Sequence, residues 1–306
     1  MAKSTQRRVV ADTIHDIYWI VDLSGSYGIQ FALKSLNDIG ESNIKLKNIQ
    51  VIKNKTEKST EYYLILNDKM EWEIFLTLCF DLVATIKNST LEEALKTLET
   101  RLIRWQLLLK QPKNSFTQEL QMGLYSELLC LRDIILKKSN TLLQGVDAWG
   151  GPDSDKQDFI LGEEAIEIKS YRTSKAKVIS ISSIHQLFSD KKLFYLLAYS
   201  LSTNDLGETV EDASNSIRKV LIQNPEALEI FEEKLVKYGF IPEIIDFQLS
   251  KFSVDRLQAY QVKDEFPRII PEQVPAQVKF VKYSLDLTKC SDFEVDIAVV
   301  LGGNAT

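Results

Sequence analysis

The sequence is poor in the residues that bind zinc or form disulfides. Its 306 residues include three cysteines and two histidines. Cys79, Cys130 and Cys290 lie far apart, and the first two fall inside apolar helical patterns. We therefore expect all three to be reduced core residues rather than disulfide or metal partners. With His15 and His185 as the only imidazoles, a zinc site is not expected.

Long hydrophobic runs are also missing. The longest apolar stretches, residues 74–83 and 297–302, are too short or too interrupted to span a bilayer. The first residues, Met-Ala-Lys-Ser-Thr-Gln-Arg-Arg, lack the apolar core of a signal peptide. These absences predict a cytoplasmic protein with no membrane partner.

The signatures of several common enzyme classes are absent. The sequence has no Gly-x-x-x-x-Gly-Lys loop for nucleotide phosphates, and no serine hydrolase or protein kinase signature. It also has no internal repeat and no low-complexity segment. The content of 44% hydrophobic and 26% charged residues is typical of a globular protein.

An excess of positive charge is missing as well, because the formal net charge is -6. This value argues against a protein that coats nucleic acid by charge alone. The charges are unevenly distributed, however, and residues 168–189 contain no acidic side chain. The same stretch contains Lys169, Arg172, Lys175 and Lys177, which we predict to form a DNA-binding patch.

The first third of the chain predicts an antiparallel sheet followed by two helices. Strands are expected at residues 16–23, 28–34, 44–52 and 61–66. Helices follow at residues 70–86 and 91–109, the second opened by a capping box of Thr90 and Glu93. Residues 110–114, Lys-Gln-Pro-Lys-Asn, resemble a domain boundary. We therefore predict an N-terminal domain of residues 1–112 that serves DNA recognition or assembly.

The remainder, residues 113–306, predicts an α/β core with a mixed sheet flanked by helices, within a chain that is α+β overall. Helices or helical segments are expected at 117–138, 182–188, 209–223 and 225–238, and a loop at 202–207. Strands are expected on both sides of Gly162 and at 177–181, 193–201, 252–262 and 277–287. On the first helix, a common apolar face is predicted for Leu120, Leu124, Leu128, Leu131 and Ile135.

Two short strands joined by a glycine turn carry the residues that indicate a chemistry. If Gly162 and Glu163 form a two-residue turn, the register places Asp158 opposite Glu167. Side chains two apart on a strand share a face, so Glu167 and Lys169 are expected to point outward together. Two carboxylates at one spot repel each other unless a cation joins them. Mg²⁺ prefers such oxygen ligands, and the lysine can position or activate a water against a phosphate.

Several neighbouring positions have alternative interpretations. Asp153 lies in a Gly-Pro-Asp-Ser-Asp turn, where aspartate is common for backbone reasons, and the hairpin register favours Asp158. Glu127 is either a partly exposed residue at the edge of the apolar helix face or a site residue. Trp149 is expected to pack beside the site rather than to stack on bases. Arg268 holds either a structural carboxylate or a DNA phosphate.

A second Glu-x-Lys spacing weakens any argument from spacing alone. It occurs in residues 232–234, Glu-Glu-Lys, where the helical pattern predicts a solvated face. The strand context of Glu167 and Lys169 therefore matters more than the spacing of the two residues.

Several segments together resemble a known family. They are Gly-Leu-Tyr-Ser-Glu-Leu-Leu at 123–129, Trp-Gly-Gly-Pro at 149–152, Gln-Asp-Phe at 157–159, Glu-Ile-Lys at 167–169, Ile-Ser-Ser-Ile-His-Gln-Leu at 181–187, Phe-Pro-Arg at 266–268 and Val-Lys-Tyr-Ser-Leu-Asp-Leu at 281–287. This combination resembles the PD-(D/E)XK family of bacterial proteins that are often encoded beside DNA methyltransferases and helicase-like ATPases of restriction or phage-defence systems. The resemblance spans residues 115–290, and more loosely the region before them.

The resemblance implies a restriction-endonuclease-like fold and hydrolysis of phosphodiester bonds in DNA. It implies that Asp158, Glu167 and the backbone carbonyl of Ile168 bind Mg²⁺, for which Mn²⁺ can substitute, with Glu127 as a further metal or water ligand. Lys169 would orient or activate the attacking water and stabilise the developing negative charge.

The resulting hypotheses differ in whether the chain cuts. The leading one is a Mg²⁺-dependent endonuclease for double-stranded DNA in a restriction-modification or phage-defence system. In this hypothesis, Gln186 matches a polar residue that some relatives place near the phosphate. The second is a non-catalytic DNA-binding or scaffolding subunit that keeps the nuclease fold. Cleavage of RNA is a third. Cutting both strands at one place usually needs two sites, so we expect a homodimer or a complex with operon partners such as a DNA methyltransferase or a helicase-like ATPase.

Overall fold

The computed structural model describes residues 3–9, 13–34, 44–56, 59–110, 116–153, 156–242, 248–263 and 265–302. These residues form two compact units, one within residues 1–115 and the other within residues 116–306. The predicted boundary at 110–114 falls almost wholly outside the described residues, so the division into 1–112 and 113–306 stays a prediction. No described helix combines the length and the apolar character that a membrane span requires.

The first unit contains a five-stranded antiparallel sheet with the strand order β1-β2-β3-β5-β4. Its strands are β1 (Lys3–Arg8), β2 (Asp16–Asp22), β3 (Tyr27–Leu33), β4 (Ile49–Lys55) and β5 (Thr60–Leu66). Two helices, α1 (Trp72–Lys87) and α2 (Ala94–Lys110), share one apolar core with the sheet. The predicted order of an antiparallel sheet followed by two helices is confirmed.

Two strands of this sheet differ from the expectation. β1 was not predicted, because Lys-Ser-Thr-Gln-Arg-Arg shows no alternation of apolar residues. It is an edge strand whose main chain pairs with β2, and main-chain pairing does not require an apolar side-chain pattern. β4 begins at Ile49 rather than at Ile44.

The second unit contains a five-stranded mixed sheet with the order β12-β10-β9-β7-β6. Its strands are β6 (Phe159–Leu161), β7 (Glu164–Arg172), β9 (Leu193–Glu208), β10 (Phe252–Gln261) and β12 (Glu294–Val295). The strands β7 and β9 are parallel, and the other neighbours are antiparallel. A separate antiparallel pair is formed by β8 (Val178–Ile181) and β11 (Tyr283–Asp286). The predicted mixed sheet is confirmed.

Helices cover one face of the mixed sheet. They are α3 (Gln118–Cys130), which continues through a π-helical segment (Leu131–Ile135) into α4 (Leu136–Lys138), then α5 (Leu142–Asp147), α6 (Val210–Leu221), α7 (Pro225–Tyr238) and α8 (Ile297–Val300). Ile166 and Ile168 of β7 belong to the core under these helices. Ala165, on the opposite face, packs with residues of β8 and β11. The central strands are therefore covered on both sides.

The first helix of this unit begins as predicted, and one residue of its expected apolar face is exposed. The Thr117 side chain caps the helix by accepting from the Leu120 amide. Leu124, Leu128 and Leu131 are fully buried, whereas Leu120 is 42% exposed, so the predicted apolar face is buried only from Leu124 onward. Leu120 lies in the first turn of α3, whereas the buried leucines lie further along the helix.

Three predicted elements of the second unit also differ. Residues 202–207 were expected to form a loop, but β9 continues through them to Glu208, because Ser202 and Thr203 pair with β10 through their main chains. Residues 182–188 form turns instead of a helical segment. The final strand is limited to β11. The helices α6 and α7 have the predicted bounds to within two residues, and all three cysteines are buried and reduced as expected.

The long β9 strand depends on Gly207, where it passes close to the main chain of Phe252. A Cβ atom at Gly207 would lie 2.5 Å from the carbonyl carbon and 2.8 Å from the amide nitrogen of Phe252. We expect Gly207→Ala to lower the free energy of unfolding by about 1–3 kcal/mol, the usual cost of overpacking. Thermal unfolding of this variant is compared with that of Leu206→Ala, a change at a neighbouring side chain that is 97% exposed. Equal melting temperatures for the two variants would contradict the prediction.

Candidate active site

The hairpin of β6 and β7 has the predicted register. Phe159 pairs with Ile166, and Leu161 pairs with Glu164. Gly162 has a φ of +61° at the first position of the turn, as a type II′ turn requires. Continued by one residue, this register places Asp158 opposite Glu167, at the point where β6 begins.

Asp158 is held by main-chain groups on both sides of the hairpin. Its Oδ2 accepts a hydrogen bond of 2.6 Å from the amide of Ile168. Its main-chain carbonyl accepts from the amides of Gly150 at 2.9 Å and Gly151 at 3.3 Å. The turn after Trp149 is thereby folded against the start of β6, where Trp149 and Phe159 form an isolated bridge.

Glu127 reaches the same place from α3. It is 7% exposed, and its Oε2 accepts from Trp149 Nε1 at 2.7 Å while its Oε1 accepts from the Tyr238 hydroxyl at 3.0 Å. A Cβ atom on Gly151 would lie 2.5 Å from Glu127 Oε2 and 3.2 Å from Asp158 Oδ1. Both carboxylates therefore border one small space that only a glycine leaves open. The interpretation of Glu127 as a partly exposed residue at the edge of the apolar helix face is therefore wrong.

Glu167 and Lys169 share a face of β7, but they do not point into solvent. The side chains of Lys169 and Glu167 are 16% and 1% exposed, so the expected outward orientation was wrong. The reason is the second layer formed by β8 and β11, which the strand pattern alone did not reveal. Glu167 Oε1 accepts from Lys169 Nζ at 2.5 Å. Within the described part of the chain, the buried Glu167 Oε2 has no hydrogen-bond partner.

The acids in this cluster are all harder to ionise than usual. Burial and the charge of Asp158 raise the pKa of Glu127 to about 8, against the hydrogen bonds from Trp149 and Tyr238. Burial, together with the charge of Asp158, raises the pKa of Glu167 well above its ordinary value. Burial also raises the pKa of Asp158, although the charge of Lys169 opposes this. The three carboxyl groups therefore interact electrostatically within one buried site.

The donor set of the cluster fits a hard divalent cation. All candidate donors are carboxylate or carbonyl oxygens, which Mg²⁺ and Mn²⁺ prefer. Among the described residues, the buried Oε2 of Glu167 has no hydrogen-bond partner, so this oxygen is available as a ligand. Across the described residues, no three His, Cys, Asp or Glu side chains already stand in ligand geometry. The expected ligand set of Asp158, Glu167 and the Ile168 carbonyl contains only two such side chains.

The raised pKa of Glu127 predicts how the stability of the metal-free protein depends on pH. An acid with a folded-state pKa of about 8 and an ordinary value of 4.5 binds more protons in the folded than in the unfolded chain between these values. The free energy of unfolding should therefore fall as pH rises through this window, by on the order of a few kcal/mol. Urea unfolding in EDTA at pH 5, 6, 7 and 8 measures this.

A matched pair of variants tests whether Glu127 contributes to this fall in the free energy of unfolding with pH. Glu127→Gln should reduce the decline, to which the raised pKa values of Glu167 and Asp158 also contribute, whereas Glu233→Gln, at an exposed position on α7, should retain it in full. Mg²⁺ should restore stability at pH 8 in the wild-type protein, because a bound cation favours the ionised carboxylates. An undiminished slope in Glu127→Gln would contradict the assignment.

Residues that orient Glu127 come from α7 and were not recognised from the sequence. Tyr238 donates to Glu127, and Lys234 is 7% exposed. The Lys234 ammonium donates to the carbonyl oxygens of Val146 at 3.1 Å and Asp147 at 3.2 Å, and to that of Trp149. The expectation that residues 232–234 form a solvated face was therefore wrong for Lys234.

A signal for these residues was present in the sequence. Phe231, Lys234, Leu235 and Tyr238 recur with the spacing of one helical face, and that face contains two large apolar residues. Trp149 is fully buried, which confirms that it packs beside the site rather than forming a platform for bases. Its indole is also a hydrogen-bond donor to Glu127, which the sequence did not indicate.

The turn at residues 182–188 is tied to the hairpin by Gln157. Gln157 is 3% exposed, and its Nε2 donates to the carbonyl oxygens of His185 at 2.9 Å and Phe188 at 2.8 Å. Gln186, in contrast, accepts from the amide and hydroxyl of Ser182 through its Oε1, so its hydrogen bonds stay within its own turn. The role of Gln186 near a phosphate stays a prediction. The link that Gln157 makes between the hairpin and this turn was also not recognised from the sequence.

The predicted basic patch is only partly assembled. Lys169 lies in the carboxylate cluster, but Arg172 forms an ion pair with Glu119 at 3.0 Å. Lys175 is exposed in the turn after β7, and the Lys177 ammonium lies 5.8 Å from the centre of the Tyr260 ring. Although the segment itself contains no acidic residue, an acid from another element pairs with one of its basic side chains. The DNA-binding role of these four residues stays a prediction.

Arg268 has a main-chain partner within the described part of the chain, and its alternative role at a DNA phosphate stays a prediction. Its guanidinium donates to the carbonyl oxygen of Leu187 at 2.8 Å. This bond attaches the segment after β10 to the same turn that Gln157 holds. Arg268 therefore has a structural contact here, although with a carbonyl rather than a carboxylate.

A β-hairpin that presents Asp158, Glu167 and Lys169 at a mixed sheet, next to a buried helix glutamate, defines a nuclease-like protein of the PD-(D/E)XK type. The comparison of families agrees with this class. Residues 2–288 match the family described as "Putative PD-(D/E)XK family member, (DUF4420)", and the chain belongs to this family. No curated protein and no solved structure matches the chain.

Proposed function

We propose that the chain is a Mg²⁺-dependent endonuclease that hydrolyses phosphodiester bonds of double-stranded DNA in a restriction-modification or phage-defence system. The observation that carries this proposal is the buried Glu167 carboxylate, which lies beside Lys169 and keeps one oxygen without a hydrogen-bond partner among the described residues. A chain that keeps buried acids so close together has a use for a cation at that place.

The residues would divide the work according to their positions. Asp158, Glu167 and the Ile168 carbonyl would hold Mg²⁺, with Glu127 as a further metal or water ligand. When bound, the metal ion supplies positive charge to the phosphate and acidifies a bound water. The Ile168 amide fixes the Asp158 carboxylate, and Trp149 fixes that of Glu127.

Lys169 would act as a cation rather than as a general base. The charges of Glu167 and Asp158 raise its pKa above the ordinary value, despite the opposing effect of burial. The ammonium form therefore dominates at neutral pH, and this form has protons to donate and none to accept. Lys169 would hold the attacking water by donating to it, and would stabilise the negative charge that develops on the phosphate.

Cutting both strands of a duplex needs two such sites. A homodimer, or an operon partner such as a DNA methyltransferase or a helicase-like ATPase, would supply the second activity or the recognition. The unit within residues 1–115 would serve this recognition or assembly. None of the residues proposed for catalysis lies in that unit.

The test is a cleavage assay of the purified chain on methylated and unmethylated duplex DNA. We expect cleavage with Mg²⁺ or Mn²⁺ and none with EDTA. Absence of metal-dependent cleavage on every duplex, both for the chain alone and with its operon partners, would refute the enzymatic proposal.

The alternative function is a non-catalytic DNA-binding or scaffolding subunit. The observation that favours it is the lack, among the described residues, of three side chains already in metal-ligand geometry. Calorimetric titration with Mg²⁺ and Mn²⁺ separates the two proposals. The enzyme should bind the cation through Asp158 and Glu167, and a scaffold should not.

A further inference from the structure

Phe280 is an aromatic side chain that the fold leaves in solvent. It is 93% exposed, and the neighbouring Lys279 and Lys282 are exposed as well. Among the described residues, neither lysine has an ion-pair partner. A phenylalanine exposed to this extent gains free energy when a partner covers it, because its apolar surface then leaves water.

Phe280 lies in a short segment that leads into β11. Tyr283 begins β11 and pairs with Ile181 of β8, and Leu285 of the same strand is buried. Lys279, Phe280 and Lys282 are exposed, whereas Tyr283 is partly buried. The three exposed side chains therefore lie on one segment that β11 anchors at its end.

This exposed group lies on the side of the sheet where the carboxylate cluster is. Glu167 and Lys169 share the face of β7 on which Ala165 packs with β8 and β11, and the Tyr283 hydroxyl of β11 accepts from the Ile269 amide at 3.4 Å. Arg268 in turn holds the turn that Gln157 attaches next to Asp158. The segment with Phe280 is therefore connected to the hairpin by a short chain of contacts.

The chemistry of the group fits nucleic acid better than protein. Lysine is depleted in protein interfaces, whereas two lysines without acidic partners can each neutralise a phosphate. Apolar side chains inserted between base steps, and aromatic rings stacked on bases, are common ways to hold DNA. Given the proposed function, the nucleic acid that this group would contact is duplex DNA.

We propose that Phe280, Lys279 and Lys282 form a DNA contact beside the active site, with the lysines on phosphates and the Phe280 ring against a base step. This inference rests on the proposed function and names the residues that hold its substrate. The contact would position the scissile phosphate over the hairpin without taking part in the chemistry.

The test measures binding separately from cleavage. Fluorescence anisotropy with a labelled duplex in EDTA gives the dissociation constant without cutting. We expect Phe280→Ala to weaken binding about tenfold, as loss of one aromatic contact to a base does. The double variant Lys279→Ala/Lys282→Ala should reduce the dependence of log K on log salt by about 0.9 for each lysine.

Matched controls lie on the other face of the sheet. Lys219 and Ile222 belong to α6 and the residue after it, and Ile222 is 71% exposed. The buried side of α6 packs in the core opposite to that of β8 and β11. Lys219→Ala and Ile222→Ala should leave binding and its salt dependence unchanged. 2-Aminopurine in the duplex should become brighter on binding wild-type protein and not on binding Phe280→Ala, because an unstacked base fluoresces more.

The outcomes separate this inference from the proposed function. If the wild type cuts and binds duplex DNA, and Phe280→Ala binds equally well, this inference is overturned and the nuclease stands. If the wild type neither binds nor cuts any duplex, both fail. If Ile222→Ala weakens binding as much as Phe280→Ala does, the specific contact is also overturned.

Discussion

Replacing Asp158 by alanine is expected to abolish metal-dependent cleavage, whereas replacing Asp153 is expected to leave it intact. Asp158 is the acid that stands opposite Glu167 in the hairpin register and borders the same space as Glu127. A metal ion provides several kcal/mol of charge stabilisation, and 1.36 kcal/mol corresponds to a factor of ten. We therefore expect the rate to fall at least ~10³-fold in Asp158→Ala.

Two further measurements make this comparison decisive. Calorimetric titration should show that Asp158→Ala binds Mg²⁺ more weakly, while Asp153→Ala binds it as the wild type does. In EDTA, Asp158→Asn should unfold at a higher temperature than the wild type, because it removes one of the repelling charges and retains an oxygen for the Ile168 amide. Cleavage that is lost in Asp153→Ala and kept in Asp158→Ala would reverse the assignment.

Replacing Lys169 by methionine is expected to reduce the cleavage rate by ~10²–10³-fold, the usual cost of removing one charge-stabilising donor. Methionine keeps much of the apolar stem, so the buried position stays filled. The affinity for Mg²⁺ should not decrease, because the variant frees Glu167 Oε1 from its bond to the ammonium. The change therefore separates the chemical step from metal binding.

The control for Lys169→Met is Lys219→Met on α6, an exposed lysine away from the hairpin. Both variants are assayed at saturating Mg²⁺ and saturating duplex, so that the chemical step limits the rate. The role assigned to Lys169 would be disproved by a Lys169→Met protein that cuts at the wild-type rate. A variant that fails to bind Mg²⁺ would show instead that Lys169 shapes the metal site.

Local rules were sufficient for the hairpin. Gly162 can adopt a positive φ, and a two-residue turn then fixes every pair in the two strands, so Asp158 was placed opposite Glu167 without any tertiary information. The same is true of α6 and α7, whose caps at Thr209 and Asn224 are short-range interactions. Such features depend only on residues a few positions apart.

Whether the site residues are buried or exposed could not be predicted from such local rules. Whether Glu167 faces water depends on β8 and β11, and β11 begins more than a hundred residues after Glu167. Lys234 looked like a surface residue because its helix neighbours are charged, yet α7 packs it against the carbonyl oxygens before the hairpin. Arg172 looked unopposed until α3 brought Glu119 to it.

The sequence by itself determined the hairpin strands β6 and β7, their turn and the register that places Asp158 opposite Glu167, because these follow from backbone preferences and from side-chain spacing. Only the tertiary structure decided that Glu127 and Glu167 are buried and that Asp158 is partly buried beside them, with Tyr238 and Trp149 donating hydrogen bonds to Glu127. The physical reason is that burial and charge interaction depend on distance in space. That distance is set by how α3, α7 and the second sheet pack on β7.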